Sequence, residues 1–125
     1  MKIDFANLNY QYNLYKKEID TAIHKVLDNS NYILGSEIDE LENDLREFSN
    51  VNHAITCSSG TDALLLALMA LDIKAGDEVI TTPFTFIATS EAIALLGPKP
   101  VFVDICEQTY NMDASKISEK ITNKT

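Results

Sequence analysis

Residues 57–62, with the sequence CSSGTD, have the composition of an anion-binding turn. They lie between a predicted strand and a predicted helix. The first backbone N–H groups of a helix have no partner within it, and the helix dipole favours negative charge there. Gly60 allows the backbone to approach a bound group closely. An ordinary helix N-cap formed by Ser59 or Thr61, without any ligand, would use the same residues, so both interpretations stay open.

A second candidate segment, residues 81–86 (TTPFTF), directly follows the next predicted strand. Ligands of open α/β sheets bind beyond the carboxyl ends of the strands, so this segment and the CSSGTD turn are expected at one edge. Phe84 or Phe86 could stack on a planar ring there. The alternative is that both rings belong to the core. Asp104 ends a third predicted strand at the same edge, where it either reaches a ligand or caps its own loop.

The other chemically active residue types show no spacing that predicts a site. His24 and His53 have no acidic or cysteine partner at ligand spacing, so we predict no metal site. Cys57 and Cys106 form no CxxC pattern and are predicted to be reduced, buried thiols. No lysine follows Gly60 as in a Walker A loop, and no GxGxxG turn occurs.

The overall charge argues against two classes of partner. The chain of 125 residues, long enough for one domain with a core, carries 10 Lys and Arg against 19 Asp and Glu, a net charge of −9. This excess of negative charge disfavours nucleic acids and anionic membranes. The first five residues are too polar for a secretion signal. The longest apolar run, residues 63–71, is far shorter than the ~20 residues of a membrane span. We therefore predict a cytoplasmic protein.

Two amphipathic helices are predicted ahead of the candidate turns. The first covers residues 12–27, and the second begins at Ser36, which is predicted to cap it with Asp39 in a capping-box position. Apolar side chains recur at three- and four-residue spacing in both: Tyr12, Tyr15, Ile19, Ile23 and Val26, then Ile38, Leu41, Leu45 and Phe48.

Strands and helices alternate in the remainder, which predicts an α/β fold. The predicted strands are residues 54–57, 78–81 and 100–105, and the predicted helices are residues 61–71, 86–96 and one starting near Asp113 with Ile117 and Ile121 facing inwards. The helix 61–71 is apolar nearly all round and is expected to be buried on several sides. Residues 1–50 are thus assigned as leading helices and residues 51–125 as the start of a sheet domain. Three strands with two open edges indicate an incomplete fold.

Five stretches together resemble the DegT/DnrJ/StrS family of pyridoxal-phosphate-dependent sugar-nucleotide aminotransferases. Their order and spacing match, and the resemblance covers essentially the whole chain as the N-terminal part of such an enzyme. The opening LNYQY, residues 8–12, is also similar to members that act on 3-keto sugar nucleotides, including the 3-keto uronic acid type. The five stretches are YILG (32–35), CSSGTDAL (57–64), GDEVITTPFTFIAT (76–89), PVFVDI (100–105) and TYNMD (109–113).

The resemblance implies a fold, a cofactor and a reaction. The fold is the N-terminal part of the large domain of the aspartate-aminotransferase-like fold, in a homodimer with active sites at the subunit interface. Ser59, Gly60 and Thr61 would hold the phosphate of pyridoxal 5′-phosphate, and Phe86 would lie against its pyridine ring. The reaction would move an amino group from a donor such as glutamate to a nucleotide-linked keto sugar, for surface polysaccharide or amino-sugar biosynthesis.

The resemblance also implies that the catalytic residues are not in these 125 residues. The Schiff-base lysine and the aspartate that faces the pyridine nitrogen are expected downstream of Thr125, and no lysine here matches the family's motif. The 125-residue chain alone is therefore predicted to be inactive. Three alternatives stay open: a sugar dehydratase of the same family with His in place of that lysine, a non-catalytic ligand-binding module, and a generic nucleotide-binding α/β domain.

Overall fold

Residues 5–125 are described by a computed structural model. The prediction that no secretion signal is present refers mainly to residues 1–4, which lie outside the described residues. The described chain divides into two compact units, the first ending at Thr56 and the second spanning Cys57–Thr125. No helix among residues 5–125 is long and apolar enough to cross a membrane.

The first unit contains the two predicted leading helices. Helix α1 spans Leu8–Asn29 and helix α2 spans Ser36–Ser49. Helix α1 begins earlier than predicted because Asn7 caps it, its side-chain oxygen accepting the N–H of Tyr10 at 2.9 Å. Within this unit Lys25 of α1 forms ion pairs with Glu37 and Glu40 of α2, at 3.2 Å and 3.8 Å.

The prediction that Ser36 caps α2 is wrong by one residue. Gly35 occupies the cap position and makes no side-chain bond, and Ser36 is the first helical residue. A Cβ on Gly35 would lie 2.9 Å from the carbonyl oxygen of Asn31. The close approach of the preceding loop therefore requires glycine at the cap, and the predicted capping box with Asp39 does not form.

The second unit is built around one βαβ crossover. After helix α3 (Gly60–Ala70) come strand β1 (Glu78–Thr81), helix α4 (Ala88–Leu95) and strand β2 (Lys99–Phe102). The two strands are parallel and pair from Glu78↔Lys99 to Thr81↔Phe102. Their carboxyl ends consequently lie at the same edge. The buried side chains of this unit are few: Thr81, Ala92, Ile93, Pro98 and Val103.

The predicted strand at residues 54–57 is absent from the described structure. The backbone N–H of Thr56 donates to a carboxylate oxygen of Glu42 at 2.8 Å, and the Thr56 hydroxyl donates to the same oxygen at 2.9 Å. The Glu42 side chain thus accepts the backbone N–H of Thr56, which a neighbouring strand would otherwise bond in a sheet. The sheet has two strands, β1 and β2, among residues 5–125.

The burial predicted for α3 and the helix predicted after Asp113 are also wrong. No residue of α3 is buried, and Leu66 and Met69 are 49% and 59% exposed. Asp113 does act as a cap, accepting the N–H of Ser115 at 3.0 Å, but it starts two short 3₁₀ turns, Ala114–Lys116 and Ser118–Lys120. Ile121, predicted to face inwards, is exposed.

Candidate functional site

The start of α3 leaves several backbone donors free. Ser59 is the N-cap: its Oγ accepts the N–H of Asp62 at 3.2 Å, and its carbonyl oxygen accepts the N–H of Ala63 at 3.0 Å. Within the described residues the N–H groups of Ser59, Gly60 and Thr61 have no acceptor. One amide is therefore satisfied by the cap, and the other amides at the positive end of the helix dipole remain available to an anion.

Gly60 borders open space. A Cβ added to this residue would meet no atom within 4 Å, and its backbone is not in the left-handed region. Neither backbone strain nor a close internal contact therefore requires a glycine here. The Cβ of a helical residue tilts toward the N-terminus of its helix, so the missing side chain of Gly60 leaves that end of α3 more open to a ligand.

The rest of the turn is held by its own side chains. Cys57 is exposed and Cys106 is only partly buried, so the prediction of two buried thiols is wrong. The thiol of Cys57 donates to the carbonyl oxygen of Ser59 at 3.3 Å. The hydroxyl of Ser58 donates to the carboxylate of Asp62. Thr61 is a half-buried residue, and its hydroxyl has no hydrogen-bond partner in the part of the chain that the structure describes.

The loop that follows β1 presents two aromatic rings at the surface. Phe84 is 61% exposed and Phe86 is 77% exposed, so neither ring is in the core of the described chain. The loop is shaped by the hydroxyl of Thr82, which accepts the N–H of Phe84 at 3.2 Å. Phe86 precedes α4, and its carbonyl oxygen accepts the N–H of Thr89 at 3.2 Å. Its predicted contact with a pyridine ring stays a prediction.

An aromatic contact links the two strand ends. The ring of Phe84 stacks on that of Tyr110, with centroids 5.8 Å apart and an angle of 29° between the planes. Tyr110 lies in the turn after β2, which an antiparallel bridge between Ile105 and Met112 closes. Sequence reasoning did not single out Tyr110, although an aromatic residue in a turn beyond a strand end was a usable signal.

The remaining candidate residues have local roles. The carboxylate of Asp104 accepts the N–H of Ile105 at 2.8 Å, as expected if this residue caps its own loop. A hydrogen bond from the N–H of Gln108 lowers the pKa of the Cys106 thiol, and bonds from the hydroxyl and N–H of Thr109 lower it further. His24 bonds the carbonyl oxygen of Asp20 in its own helix at 2.7 Å.

Among residues 5–125 no hydrogen bond joins the CSSGTD turn to the loop after β1. The helices that adjoin these two segments, α3 and α4, pack on each other.

Comparison with known proteins gives a family. The pattern of the DegT/DnrJ/EryC1/StrS aminotransferase family matches residues 13–125. The chain is 47% identical over 123 residues to the UDP-2-acetamido-2-deoxy-3-oxo-D-glucuronate aminotransferase of Pseudomonas aeruginosa, covering 98% of this chain and 34% of that protein. It is 45% identical over 123 residues to the UDP-N-acetyl-3-dehydro-alpha-D-glucosamine 3-aminotransferase of Acidithiobacillus ferrooxidans, covering 98% and 33%.

Solved structures agree with the predicted fold class. DesV from S. venezuelae superimposes with a TM-score of 0.95 at 36% identity, covering 99% of this chain and 33% of that one. NtdA from Bacillus subtilis, solved with bound cofactor PMP, gives a TM-score of 0.91 at 34% identity, covering 99% and 29%. Leading helices followed by parallel strands alternating with helices thus match the N-terminal third of these aminotransferases. The chain spans about a third of the length of the curated relatives that it matches.

Proposed function

The chain belongs to the DegT/DnrJ/EryC1/StrS aminotransferase family, and on this premise we propose that the whole protein carrying it is a transaminase of keto sugar nucleotides. The family depends on pyridoxal phosphate, and the chain is homologous to sugar-nucleotide aminotransferases. The observation that carries the proposal is the group of free amides at Ser59, Gly60 and Thr61, at the start of a helix in a chain of this family.

The residues of the turn fit the phosphate of the cofactor. The free N–H groups of Ser59, Gly60 and Thr61 would donate to its oxygens, and the open space at Gly60 would admit them. The exposed ring of Phe86 would lie against the pyridine ring and hold it by stacking. When bound, the cofactor supplies an electron sink for the transfer of the amino group. This chain's part is to hold the cofactor in place.

The proposed substrate is a nucleotide-linked sugar with a 3-keto group, and the proposed donor is glutamate. Two relatives at 47% and 45% identity carry names that specify 3-oxo or 3-dehydro UDP-linked amino sugars. The similarity of residues 8–12 to members acting on 3-keto sugars supports the same choice, and these residues form the first turn of α1. The product would serve surface polysaccharide or amino-sugar biosynthesis by a homodimer in the cytoplasm, a reducing compartment that suits the free thiols of Cys57 and Cys106.

The catalytic lysine is proposed to lie downstream of Thr125. No lysine of this chain occupies a matching motif, and the acidic partner of the pyridine nitrogen is likewise expected further along. The 125-residue chain alone is therefore expected to turn over no substrate.

The test compares the whole protein with the 125-residue chain. Each is incubated with pyridoxal phosphate, glutamate carrying isotope-labelled nitrogen, and a UDP-linked 2-acetamido-3-oxo sugar. We expect the label in an amino sugar, detected by mass spectrometry, with the whole protein and none with the short chain. Loss of a sugar hydroxyl without uptake of label would instead identify a dehydratase. Cofactor binding by the whole protein without any turnover would identify a ligand-binding module.

A further inference from the structure

A serine and an aspartate are paired beside the free amides of α3. The hydroxyl of Ser58 donates to the carboxylate of Asp62. Asp62 lies in the first turn of the helix, and its own N–H is bonded to Ser59 Oγ at 3.2 Å. The backbone of Asp62 is thus fixed, and only its side-chain torsions decide where its negative charge lies.

Without a partner, this carboxylate has a strong alternative. An acidic side chain at the third position of a helix reaches back to the N–H of the N-cap residue, as in a capping box. Here that donor is the N–H of Ser59, which is free within the described residues. The helix dipole also draws negative charge to the same end. The carboxylate of Asp62 would then lie beside the amides that the cofactor phosphate needs.

We propose that Ser58 is a positioning residue that holds the Asp62 carboxylate away from these amides and so keeps the phosphate cradle open. The inference rests on the proposed function, since it assumes that a phosphate binds at Gly60 and Thr61. Two anions cannot share these donors, because like charges repel and each amide makes one strong hydrogen bond. The hydroxyl of Ser58 gives the carboxylate a partner of its own.

A double-mutant cycle in the whole protein tests this. The variants are Ser58→Ala, Asp62→Asn and both together, and the probe is pyridoxamine 5′-phosphate, which binds without a covalent bond to lysine. Dissociation constants are measured by fluorescence at low and high salt. Ser115→Ala is the matched control, because Ser115 Oγ donates to the Asp113 carboxylate at 2.6 Å in another turn.

We expect Ser58→Ala to raise the dissociation constant about two- to fivefold when Asp62 is present, the usual effect of one charge at a helix terminus. The increase should shrink at high salt and vanish in the Asp62→Asn background, and Ser58→Thr should restore binding. Ser115→Ala should have no effect.

An equal loss of affinity in both backgrounds would overturn the proposal, since Ser58 would then contact the phosphate itself. An unchanged constant in Ser58→Ala would overturn it as well. If the unsubstituted whole protein bound no pyridoxamine phosphate, the proposed function would fail, which is a different result from either of these.

Discussion

Replacing Gly60 with alanine should separate cofactor affinity from stability. The new Cβ would meet no protein atom within 4 Å, and the backbone of Gly60 is within α3 without a left-handed φ. Alanine at a compatible helical position stabilises a protein by about 0.4–1 kcal/mol, because it restricts the unfolded chain. The free energy of unfolding should therefore stay the same or rise by that amount.

A methyl group at Gly60 should tilt toward the N-terminal end of α3, where the free amides lie. Loss of one hydrogen bond to a charged group costs about 1.5–3 kcal/mol. Because 1.4 kcal/mol corresponds to a factor of ten, the affinity for pyridoxamine 5′-phosphate should fall roughly 10- to 100-fold. Pyridoxamine without the phosphate should bind both forms equally, since the methyl group obstructs only the phosphate site.

Gly97→Ala is the matched control. Its φ is +95°, and an added Cβ would lie 3.0 Å from the Cβ of Ala75. This substitution should destabilise the protein by about 1–2 kcal/mol through backbone strain, with little change in cofactor affinity. Urea unfolding and fluorescence titration of the whole protein give the two quantities. If Gly60→Ala bound pyridoxamine phosphate as tightly as the unsubstituted protein, the phosphate would not lie at this turn.

Two further predictions concern stability. Tyr110→Ala should lower the free energy of unfolding by about 0.5–1.5 kcal/mol beyond the effect of lost burial, because it removes the ring stacked on Phe84. Tyr110→Phe should keep that contribution. Equal losses of stability in the two variants, measured by thermal unfolding, would contradict the stacking argument. The N–H and hydroxyl of Thr56 hold the pKa of Glu42 below its usual value of 4.5. The resulting stability is present above that pH and is lost as the pH falls through the lowered pKa. Urea midpoints of Glu42→Gln should therefore fall less steeply with acid than those of the unsubstituted protein. Glu18→Gln is the exposed-site control, and a slope for Glu42→Gln equal to that of this control or of the unsubstituted protein would refute the prediction.

Elements with a strong local signal were predictable from the sequence. The spacing of apolar residues located α1 and α2 because each helix carries its own periodicity and its own cap or break. The parallel pair β1 and β2 followed from two apolar runs separated by a helix, as the βαβ rule requires. The errors at the ends of α1 and α2 are small and come from caps such as Asn7, which lies outside the apolar pattern.

Elements that depend on a neighbour were not predictable. The run at residues 54–57 has the composition of a strand, but the sequence does not state that Glu42 takes the amide of Thr56. Likewise, the apolar surface of α3 predicts burial without naming what covers it. The described chain offers α4 on one side and leaves Leu66 and Met69 exposed. Composition records a preference for burial, and tertiary contacts decide whether it is met.

A serine cap and an anion site at residues 57–62 are compatible, because they use different backbone amides. A cap needs one donor, and Ser59 Oγ takes the N–H of Asp62. An anion needs other donors, and those of Gly60 and Thr61 have no acceptor within the described residues. Because a helix start exposes several amides and one side chain satisfies one of them, capping and anion binding use different atoms of the same turn. A serine cap is therefore no argument against a phosphate site, and the position of the Asp62 carboxylate becomes the feature that decides whether the remaining amides can receive one.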